Sequence, residues 1–468
     1  MKGVLHSGIV ERKKRIYLRQ FFSILTGYIL LIDVGAQLSW SSPALPYLLD
    51  KNNSKFSITS DQGAWVASIV SLAGIAGYVA IPLLMDRIGR KLTLFIFAIA
   101  HLISWILIYL ASNYNFLLAA RFFAGFSLGG SYSFLPPYIG EISGKNSRGL
   151  FIVFSGVCMN LGNFLINALG AFLNYETMNI VMISLPLIAI CFFPLMLETP
   201  YFYLMRNEET KAIEILMKLN ETSERKNIMI DIERMRSAMI LNENSGKNGF
   251  YLLFSDRGSR KALIIIILSN VTLAFSGLVA IQTYSQSIFK LSAASTTLDA
   301  KYAAMIIAGV QIFSRLPSTQ LIDIWGRRPI YLFSGIMSAI FLTVVGFYFF
   351  LEKYPVIDVT SISWLPLVGL ILYQFMCNAG IYTLPNVFIG ELLSVKVKGA
   401  AIMIASIVMA ISFFITKMMI PLLNNSLGIY TTFWIFSFVC LIGPIIIVLI
   451  TPETKGKNLE EVLELMRK

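Results

Sequence analysis

Long apolar segments alternate with short polar ones along almost the whole chain. About twelve of the apolar runs reach the roughly 20 residues that a helix needs to cross a bilayer. Residues 198–258 differ, because they are polar and charged and contain short amphipathic pieces. The pattern predicts an all-α integral membrane protein with twelve transmembrane helices. Residues 1–197 would form one six-helix bundle, 198–258 a cytoplasmic helical linker, and 259–468 a second six-helix bundle with a short tail.

The limits of several spans follow from the same pattern. Span 1 is expected at about 21–40 and span 5 at about 149–171, and span 6 ends at Leu197. Spans 7 to 12 are expected at about 260–289, 301–322, 329–351, 363–388, 399–423 and 428–450.

Two charged turns share the pattern Asp-x-x-Gly-Arg-(Arg/Lys). They occupy residues 86–91 and 323–328, which places them 237 residues apart, about half the chain. Glycine suits the reversal because it reaches left-handed backbone conformations without steric cost. Other charged motifs recur at similar offsets, namely Glu141…Arg148 with Glu391…Lys398, and Glu198 with Glu453. Recurrence at one period indicates two homologous halves.

Composition and charge agree with a membrane protein. Of the 468 residues 56% are hydrophobic, and the mean hydropathy is +0.71. The net charge of +12 does not indicate a nucleic-acid partner, because most of the 38 Lys and Arg residues lie on one side of the predicted spans. This bias places both termini in the cytoplasm. The first apolar run follows the basic stretch 11–15 without a small-residue cleavage site, which predicts a retained span rather than a signal peptide.

The sequence offers little for metal or acid–base chemistry. The four cysteines lie in apolar spans without Cys-x-x-Cys spacing, and there are only two histidines. A phosphate-binding loop of the Gly-Lys-Ser/Thr kind is also absent from the sequence. We therefore expect no enzyme, no metal and no cofactor, and any transport would draw its energy from gradients.

At its recurring motifs the chain resembles the sugar porter family of the major facilitator superfamily. The resemblance rests on six motifs in order, at 86–91, 137–148, 198–200, 323–328, 391–399 and 452–456. The stretches 426–434 and 455–461 look most like insect facilitated trehalose-transporter-like members. The resemblance implies two pseudosymmetric six-helix bundles that rock around a central site.

The resemblance also implies a cytoplasmic gate made of charged side chains. These would pair between the halves when the protein faces outward; alternatively, they would only anchor the topology. The gate residues would be Asp86, Arg87, Arg90, Glu141, Arg148, Glu198, Asp323, Arg327, Arg328, Glu391, Lys398 and Glu453.

The positions at which the family contacts sugar are largely changed in this chain. By the resemblance, the family's glutamines and asparagine on span 7 fall on Leu273, Ala274 and Val279, and the glutamine on span 5 falls on Gly156. The tryptophans on spans 10 and 11 become Asn386 and Ala410, whereas Gln311 on span 8 keeps an amide. The substrate therefore need not be glucose.

Other polar side chains in the spans could bind a neutral sugar or polyol. The candidates are Asn160, Asn163, Gln282, Gln286, Gln311, Asn378, Tyr382 and Asn386. Several share a helix face, and polar residues inside spans normally face a cavity or a partner helix. Each could therefore contact the solute or only join two helices.

Three further features carry hypotheses. Asp33 and Arg121 lie deepest among the charged residues and are predicted to pair, either structurally or as a proton-coupling device. Lys417 is expected to extend to the outer interface. Asn52 begins an Asn-x-Ser sequon that would either be glycosylated or remain unmodified.

These patterns support a multi-pass plasma-membrane facilitator for a small neutral sugar or polyol of the hexose or trehalose class. It would work by alternating access, within the lipid bilayer and as a monomer. A proton-coupled symporter is the alternative within transport, and a non-transporting solute sensor is the alternative outside it. The short amino-terminal segment and tail favour transport over sensing.

Overall fold

The computed structural model describes residues 2–52, 56–143, 148–219, 228–237, 249–292, 298–314, 318–354, 359–457 and 459–467. Within these ranges the regular elements are helices, and no strand occurs. The first half contains α1 to α7: Lys2–Ser39, Ser41–Leu48, Ser60–Ile88, Arg90–Leu110, Tyr114–Ile142, Arg148–Phe172 and Tyr175–Phe192.

The connecting region and the second half contain the remaining helices. Helices α8 to α11 are Pro200–Met205, Glu209–Leu219, 228–237 and Gly249–Ser255. Helices α12 to α16 are Arg257–Phe275, Leu278–Thr283, Ser285–Lys290, Ala300–Ser314 and Ser318–Trp325. Helices α17 to α22 are Arg327–Lys353, Leu365–Ala379, Leu384–Glu391, Val395–Ser426, Ile429–Ile450 and Leu459–Arg467.

Within the described residues, ten helical stretches are long and apolar enough to cross a membrane. The protein is therefore all-α, as the sequence predicts. Helix α5 has spanning length but is not among the ten, and the region of α15 and α16 contributes only a shorter apolar helix.

Small residues allow helices of the first half to cross at backbone distance. A Cβ added to Gly35 of α1 would lie 1.8 Å from the carbonyl oxygen of Met159 in α6, and one added to Gly162 would lie 1.8 Å from that of Ile32. Only glycine fits this close an approach. Helices α1 and α6 are therefore fixed together.

The duplicated turns fold in the same way in both halves. Gly89 and Gly326 precede α4 and α17 with φ of 92° and 91°, in the region that favours glycine. The sequence repeat is therefore also a repeat of local structure.

Two predicted spans are interrupted, which the apolar pattern did not indicate. The stretch predicted at 260–289 breaks after Ser276, where Gly277 has φ of 87°. The stretch predicted at 363–388 breaks at Gly380, between α18 and α19. The hydroxyl of Tyr373 donates to the carbonyl of Ser276 at 2.8 Å, which satisfies one of the freed backbone groups.

The connecting helices have a small apolar core of their own. It contains Leu204, Ala212, Leu216, Ile228 and Ile232. At the end of the described chain, α22 packs against α12 and buries Val462 and Met466.

Candidate functional site

A cavity of about 480 Å³ lies between the two halves. The first half contributes residues of α1, α3, α5 and α6, and the second half contributes residues of α12, α13, α15 and α18 to α20. Its size is within the usual range for small-molecule sites. It extends to Pro136 of α5 and Ile389 of α19, near the end of the bundle that carries the glycine turns. We refer to this end as the charged end and to the opposite one as the far end.

None of the described residues that line the cavity is charged. The polar part of the lining consists of amides and hydroxyls, with Tyr78, Tyr132 and Tyr382 among apolar side chains. Such a lining can hydrogen-bond and stack on a solute but offers no charge to neutralise an ion.

Amides cross the cavity from one half to the other. Asn160 of α6 donates through Nδ2 to the carbonyl of Gln311 in α15 at 3.0 Å. Asn163 donates through Nδ2 to Gln311 Oε1. Asn167, one turn further along α6, supports Asn163 by donating to its carbonyl at 2.9 Å. Helices α6 and α15 are thus joined across the centre of the molecule.

Some polar atoms that line the cavity have no partner in the described part of the chain. Gln311 Nε2 is buried without an acceptor. The amides of Gln282 and Asn386 also line the cavity, and no hydrogen bond to another described residue engages them. Buried polar groups normally have partners, so Gln311 Nε2 is suited to receive a ligand. Gln282 is half-buried and Asn386 is exposed, so both amides are accessible to a ligand.

Seven of the eight predicted binding residues line this one cavity. They are Asn160, Asn163, Gln282, Gln311, Asn378, Tyr382 and Asn386. Gln286 is not among the lining residues, although it is buried in α14. Asn378 also donates to Ser314 Oγ and to the carbonyl of Gln374, both at 2.9 Å, so it joins two helices as well. Solute binding by these residues stays a prediction.

The changed family positions are also found here. Leu273, Val279, Gly156 and Ala410 line the cavity. Ala274 does not line it and is fully buried. These replacements place apolar groups or no side chain at positions where the resembled family has amides or a tryptophan.

In the first half, a carboxylate caps the start of α4. Glu198 accepts from the backbone N–H groups of Arg90 at 2.9 Å and Lys91 at 3.0 Å. Carboxylates are stabilised at helix amino termini, where N–H groups are otherwise unpaired. The side chain of Arg90 lies 3.7 Å from Glu141 of α5. These residues of the predicted gate form one cluster.

The second half repeats this arrangement. Glu453 accepts from the backbone N–H groups of Arg327 and Arg328, both at 3.1 Å. The guanidinium of Arg327 donates to Glu391 of α19 at 2.8 Å. Each ion pair joins two residues of the same half. Pairing between the halves in an outward-facing state stays a prediction.

The other predicted gate residues are not part of these bonds. Asp86 and Arg87 are exposed, and the carbonyl of Arg87 accepts from Arg206 at 2.7 Å. Lys398 is half-buried and has no ion pair with another described residue. The side chains of Arg148 and Asp323 lie outside the described part of the chain.

The two capping carboxylates differ in acidity. Burial raises the pKa of Glu198 above its ordinary value, although backbone N–H groups and Arg90 oppose the effect. Burial also acts to raise the pKa of Glu453, but four backbone N–H groups outweigh it and the pKa is lowered. The two equivalent capping carboxylates therefore have pKa values shifted in opposite directions.

The predicted pairing of Asp33 with Arg121 is wrong. Asp33 Oδ2 lies 2.8 Å from His101 Nδ1, and Asp33 Oδ1 accepts from Trp105 Nε1 at 2.6 Å. Arg121 instead donates to the side chain and carbonyl of Gln37, at 3.1 and 3.0 Å. Asp33 lies one helical turn before Gln37, whose amide contacts both α4, by donating to Ser104 Oγ at 3.3 Å, and α5, through Arg121. Neither Asp33 nor Arg121 lines the cavity.

Sequence reasoning missed the partners in this network. His101 and Trp105 lie four residues apart on α4, as Asp33 and Gln37 do on α1. Residues four apart lie on one face of a helix. The equal spacing of polar side chains on α1 and α4 could therefore have indicated that these two faces meet. Lys417 was also misplaced, because its side chain is only 1% exposed and does not extend to the surface.

The far end of the molecule is held closed by small polar groups. The hydroxyls of Ser42 in α2 and Ser285 in α14 are 2.7 Å apart and link the two halves. Ser42 also donates to Asn167 Oδ1 at 2.8 Å. Neither serine lines the central cavity, which reaches Pro136 and Ile389 towards the charged end.

The sequence matches a known family over nearly its whole length. The model of the family described as "Sugar (and other) transporter" matches residues 25–466. The chain is 30% identical to the facilitated trehalose transporter Tret1-1 of Drosophila simulans over 437 residues, which is 92% of this chain and 50% of the relative. It is 28% identical to a facilitated trehalose transporter Tret1-2 homolog of the same species, over 95% of this chain and 90% of the relative. The chain thus spans about half of the first relative's length and most of the second's.

The fold matches solved transporter structures. The xylose transporter XylE from E. coli, in a partially occluded inward-open conformation, aligns with a TM-score of 0.77 at 16% identity. The alignment covers 94% of this chain and 99% of that protein. At this identity the likeness concerns the fold.

Proposed function

The chain belongs to the family of sugar (and other) transporters, and we propose that it moves a small neutral sugar or polyol across a membrane by facilitated diffusion. The printed names of its relatives describe facilitated trehalose transporters, which supports a solute of the hexose or trehalose class. The protein is a multi-pass membrane protein with no enzymatic role.

One observation carries the proposal. The cavity between the halves contains amides, hydroxyls and tyrosines but no charged lining residue among those described. A charged solute would have to give up its hydration in such a site without compensation. A neutral polyhydroxylated solute can exchange its hydrogen bonds with water for bonds to the amides.

The asymmetry of the two ends supports alternating access. The far end is closed by Ser42 and Ser285, while the cavity extends towards the charged end. We propose that the charged end is cytoplasmic, and that its carboxylates and guanidiniums pair between the halves when the far end opens. Such a network can bias an equilibrium between two conformations through interactions made in one of them only.

The membrane arrangement is proposed on the same basis. Twelve spans result if α5 and the α15–α16 region cross the membrane together with the ten long apolar stretches. Both termini and the connecting helices α8 to α11 would then be cytoplasmic, the protein would lie in the plasma membrane as a monomer, and exposed Asn52 would be available for glycosylation.

Uptake of labelled glucose, fructose, trehalose and a polyol in cells lacking their own sugar porters tests the function. We expect saturable uptake of one solute, lost in Gln311→Ala and retained in Asn115→Ala, which changes an exposed amide of α5 outside the cavity. Absence of uptake of every solute, with the protein shown at the cell surface, would favour the sensor over the transporter.

Proton coupling is tested in the same cells by comparing acidic and neutral medium. Asp33 lies away from the cavity and is held by His101 and Trp105, which supports a structural role. We expect equal pH dependence of uptake in wild type and in Asp33→Asn. Loss of a pH dependence on this substitution would instead identify a proton symporter.

A further inference from the structure

A second cavity, of about 390 Å³, lies between the two halves at the far end. We refer to it as the far-end cavity. The first half contributes residues of α2 and α3, including Leu45 and Ala64, and the second half contributes residues of α14, α20 and α21, including Ile420. Of its described lining residues only Asp50 and Lys290 are charged, and their charges have opposite signs.

The far-end cavity and the central cavity are lined by the same helices. On α1–α2, on α3 and on α20, the nearest lining residues of the two cavities are about two helical turns apart; these pairs are Leu38 and Leu45, Val70 and Ala64, and Phe413 and Ile420. The two cavities therefore follow one another along the same helices. A layer of side chains separates them, and in this layer Ser42 meets Ser285 of the other half at 2.7 Å.

Lys417 of α20 lies in the separating layer. Residues three or four positions apart share one face of a helix. Phe413, four positions before Lys417, lines the central cavity, whereas Ile420 and Pro421, three and four positions after it, line the far-end cavity. Lys417 is 1% exposed, whereas Ile415 on another face of the same helix is 45% exposed. Lys417 is therefore enclosed on the face of α20 that connects the two cavities.

The rest of this layer is uncharged in the described part of α1–α2, α3 and α20. The positions between the two cavities on these helices are 39–44, 65–69 and 414–419, and among them Lys417 alone is charged. An ionisable residue inside a membrane span costs free energy to bury, and such residues usually face the interior of the bundle or a solute pathway. The position of Lys417 between two cavities indicates a pathway.

We propose that Lys417 determines the charge specificity of the carrier. When the far end opens, its ammonium lines the path between the two cavities, where it donates to hydroxyls of a neutral solute and repels cationic solutes such as protonated amino sugars. The central cavity has no charged lining residue among those described, and Asp50 and Lys290 oppose each other, so Lys417 supplies the repulsion. This inference rests on the proposed function and adds the exclusion of cations to it.

Uptake of a neutral sugar and of its amino derivative tests the role of the charge. Labelled glucose is compared with glucosamine, and trehalose with trehalosamine, in mildly acidic medium in which the amines are protonated. We expect Lys417→Met to raise uptake of the amino sugar relative to the neutral sugar several-fold, and Lys417→Arg to keep the wild-type ratio. An unchanged ratio in Lys417→Met would overturn the inference, whereas absence of uptake of every sugar by the wild type would contradict the proposed function.

Thiol labelling tests the position of Lys417 without an uptake assay and without Lys417→Met. Intact cells that express Lys417→Cys or Ile415→Cys are treated with a membrane-impermeant thiosulfonate, and the thiols that remain free are counted by a mass-shift reagent. The wild type gives the background of the four native cysteines. We expect modification of Lys417→Cys but not of Ile415→Cys, because water reaches only the face of α20 that lines the path. No modification of Lys417→Cys, or equal modification of both variants, would show that Lys417 does not line it.

Discussion

At the scale of single residues, Gln311 determines the polarity of the cavity. Its oxygens accept from Asn160 and Asn163, whereas its Nε2 is buried and has no acceptor among the described residues. A solute hydroxyl that accepts from this nitrogen would satisfy a buried donor. Gln311 also retains an amide at a position where the resembled family has one.

Replacement of Gln311 by leucine should lower uptake efficiency by about tenfold to hundredfold. The change removes a buried hydrogen-bonding group worth about 1–3 kcal/mol and leaves Asn163 without its side-chain acceptor. Initial uptake rates across solute concentrations, normalised to surface protein, measure the effect. Asn115→Ala, which changes an exposed amide of α5, serves as the matched control. Unchanged kcat/KM in Gln311→Leu would exclude Gln311 from the site.

The sequence predicted that amides on a shared helix face would meet a cavity or a partner helix, but it did not predict which charges pair. Asn160 and Asn163 were identifiable because they share a helix face, and the structure places both at the cavity. The partner of Asp33 was mistaken because pairing opposite charges ignores neutral partners. Trp105 donates a hydrogen bond to Asp33, and Gln37 accepts one from Arg121, so each charged group has a neutral hydrogen-bonding partner.

At the scale of elements, the interrupted helices shape the site. The break at Gly277 separates Leu273 from Val279 and Gln282, all of which line the cavity. The break at Gly380 places Tyr382 between two short helices beside the same cavity. Hydropathy could not reveal these breaks, because the residues on both sides are equally apolar and only backbone geometry distinguishes them.

Gly277→Ala should destabilise the protein strongly. A left-handed conformation costs a non-glycine residue about 1–2 kcal/mol, and the added Cβ would lie 2.1 Å from the ring of Phe436. Gly399→Ala in α20 is the control, because a Cβ there meets nothing within 4 Å. We expect a marked fall in Tm or in yield for the first variant only, and a similar Tm for both would contradict the role of the break.

The two helix caps should respond differently to loss of charge. The lowered pKa of Glu453 means that its carboxylate stabilises the fold above the ordinary carboxyl pKa, and that this contribution is lost as pH falls through the lowered value. The raised pKa of Glu198 has the opposite sign, so its contribution is present at low pH and is lost as pH rises through the raised value.

Near neutral pH, Glu453→Gln should therefore lower Tm more than Glu198→Gln. The deficit of Glu453→Gln should shrink in acid, where the wild-type carboxylate is itself protonated. Unfolding scans of both variants and the wild type over a pH series provide the measurement. A larger loss of Tm in Glu198→Gln than in Glu453→Gln near neutral pH would show that the hydrogen bonds to Glu198 outweigh the cost of its burial.

At the scale of the whole molecule, the duplicated halves were the most predictable feature. The recurring motifs in the sequence reappear as matching caps and ion pairs, with Glu198 and Arg90 in one half and Glu453 and Arg327 in the other. The relative position of the halves was not predictable. It depends on contacts between distant segments, such as that of Ser42 with Ser285, which leave no local pattern in the sequence.

A disulfide between the halves should lock the far end. The hydroxyls of Ser42 and Ser285 lie 2.7 Å apart, close enough for Ser42→Cys and Ser285→Cys together to approach disulfide geometry. We expect an oxidant to abolish uptake in the double variant and a reductant to restore it. Each single variant, with the four native cysteines retained, is the control. Full uptake with a verified cross-link would refute alternating access through this end.

The amide bridge between α6 and α15 has a consequence for the return half of the cycle. After releasing its solute, a carrier must reorient empty. Closure around a cavity without water or solute would leave amides buried without hydrogen-bond partners, which costs free energy. Asn160 and Asn163 already bond to Gln311, so the protein supplies its own partners when no solute does. A solute can bind Gln311 Nε2, which has no acceptor among the described residues, and need not displace these contacts. We expect the empty carrier to reorient readily. Solute on the opposite side of the membrane should then accelerate uptake only slightly.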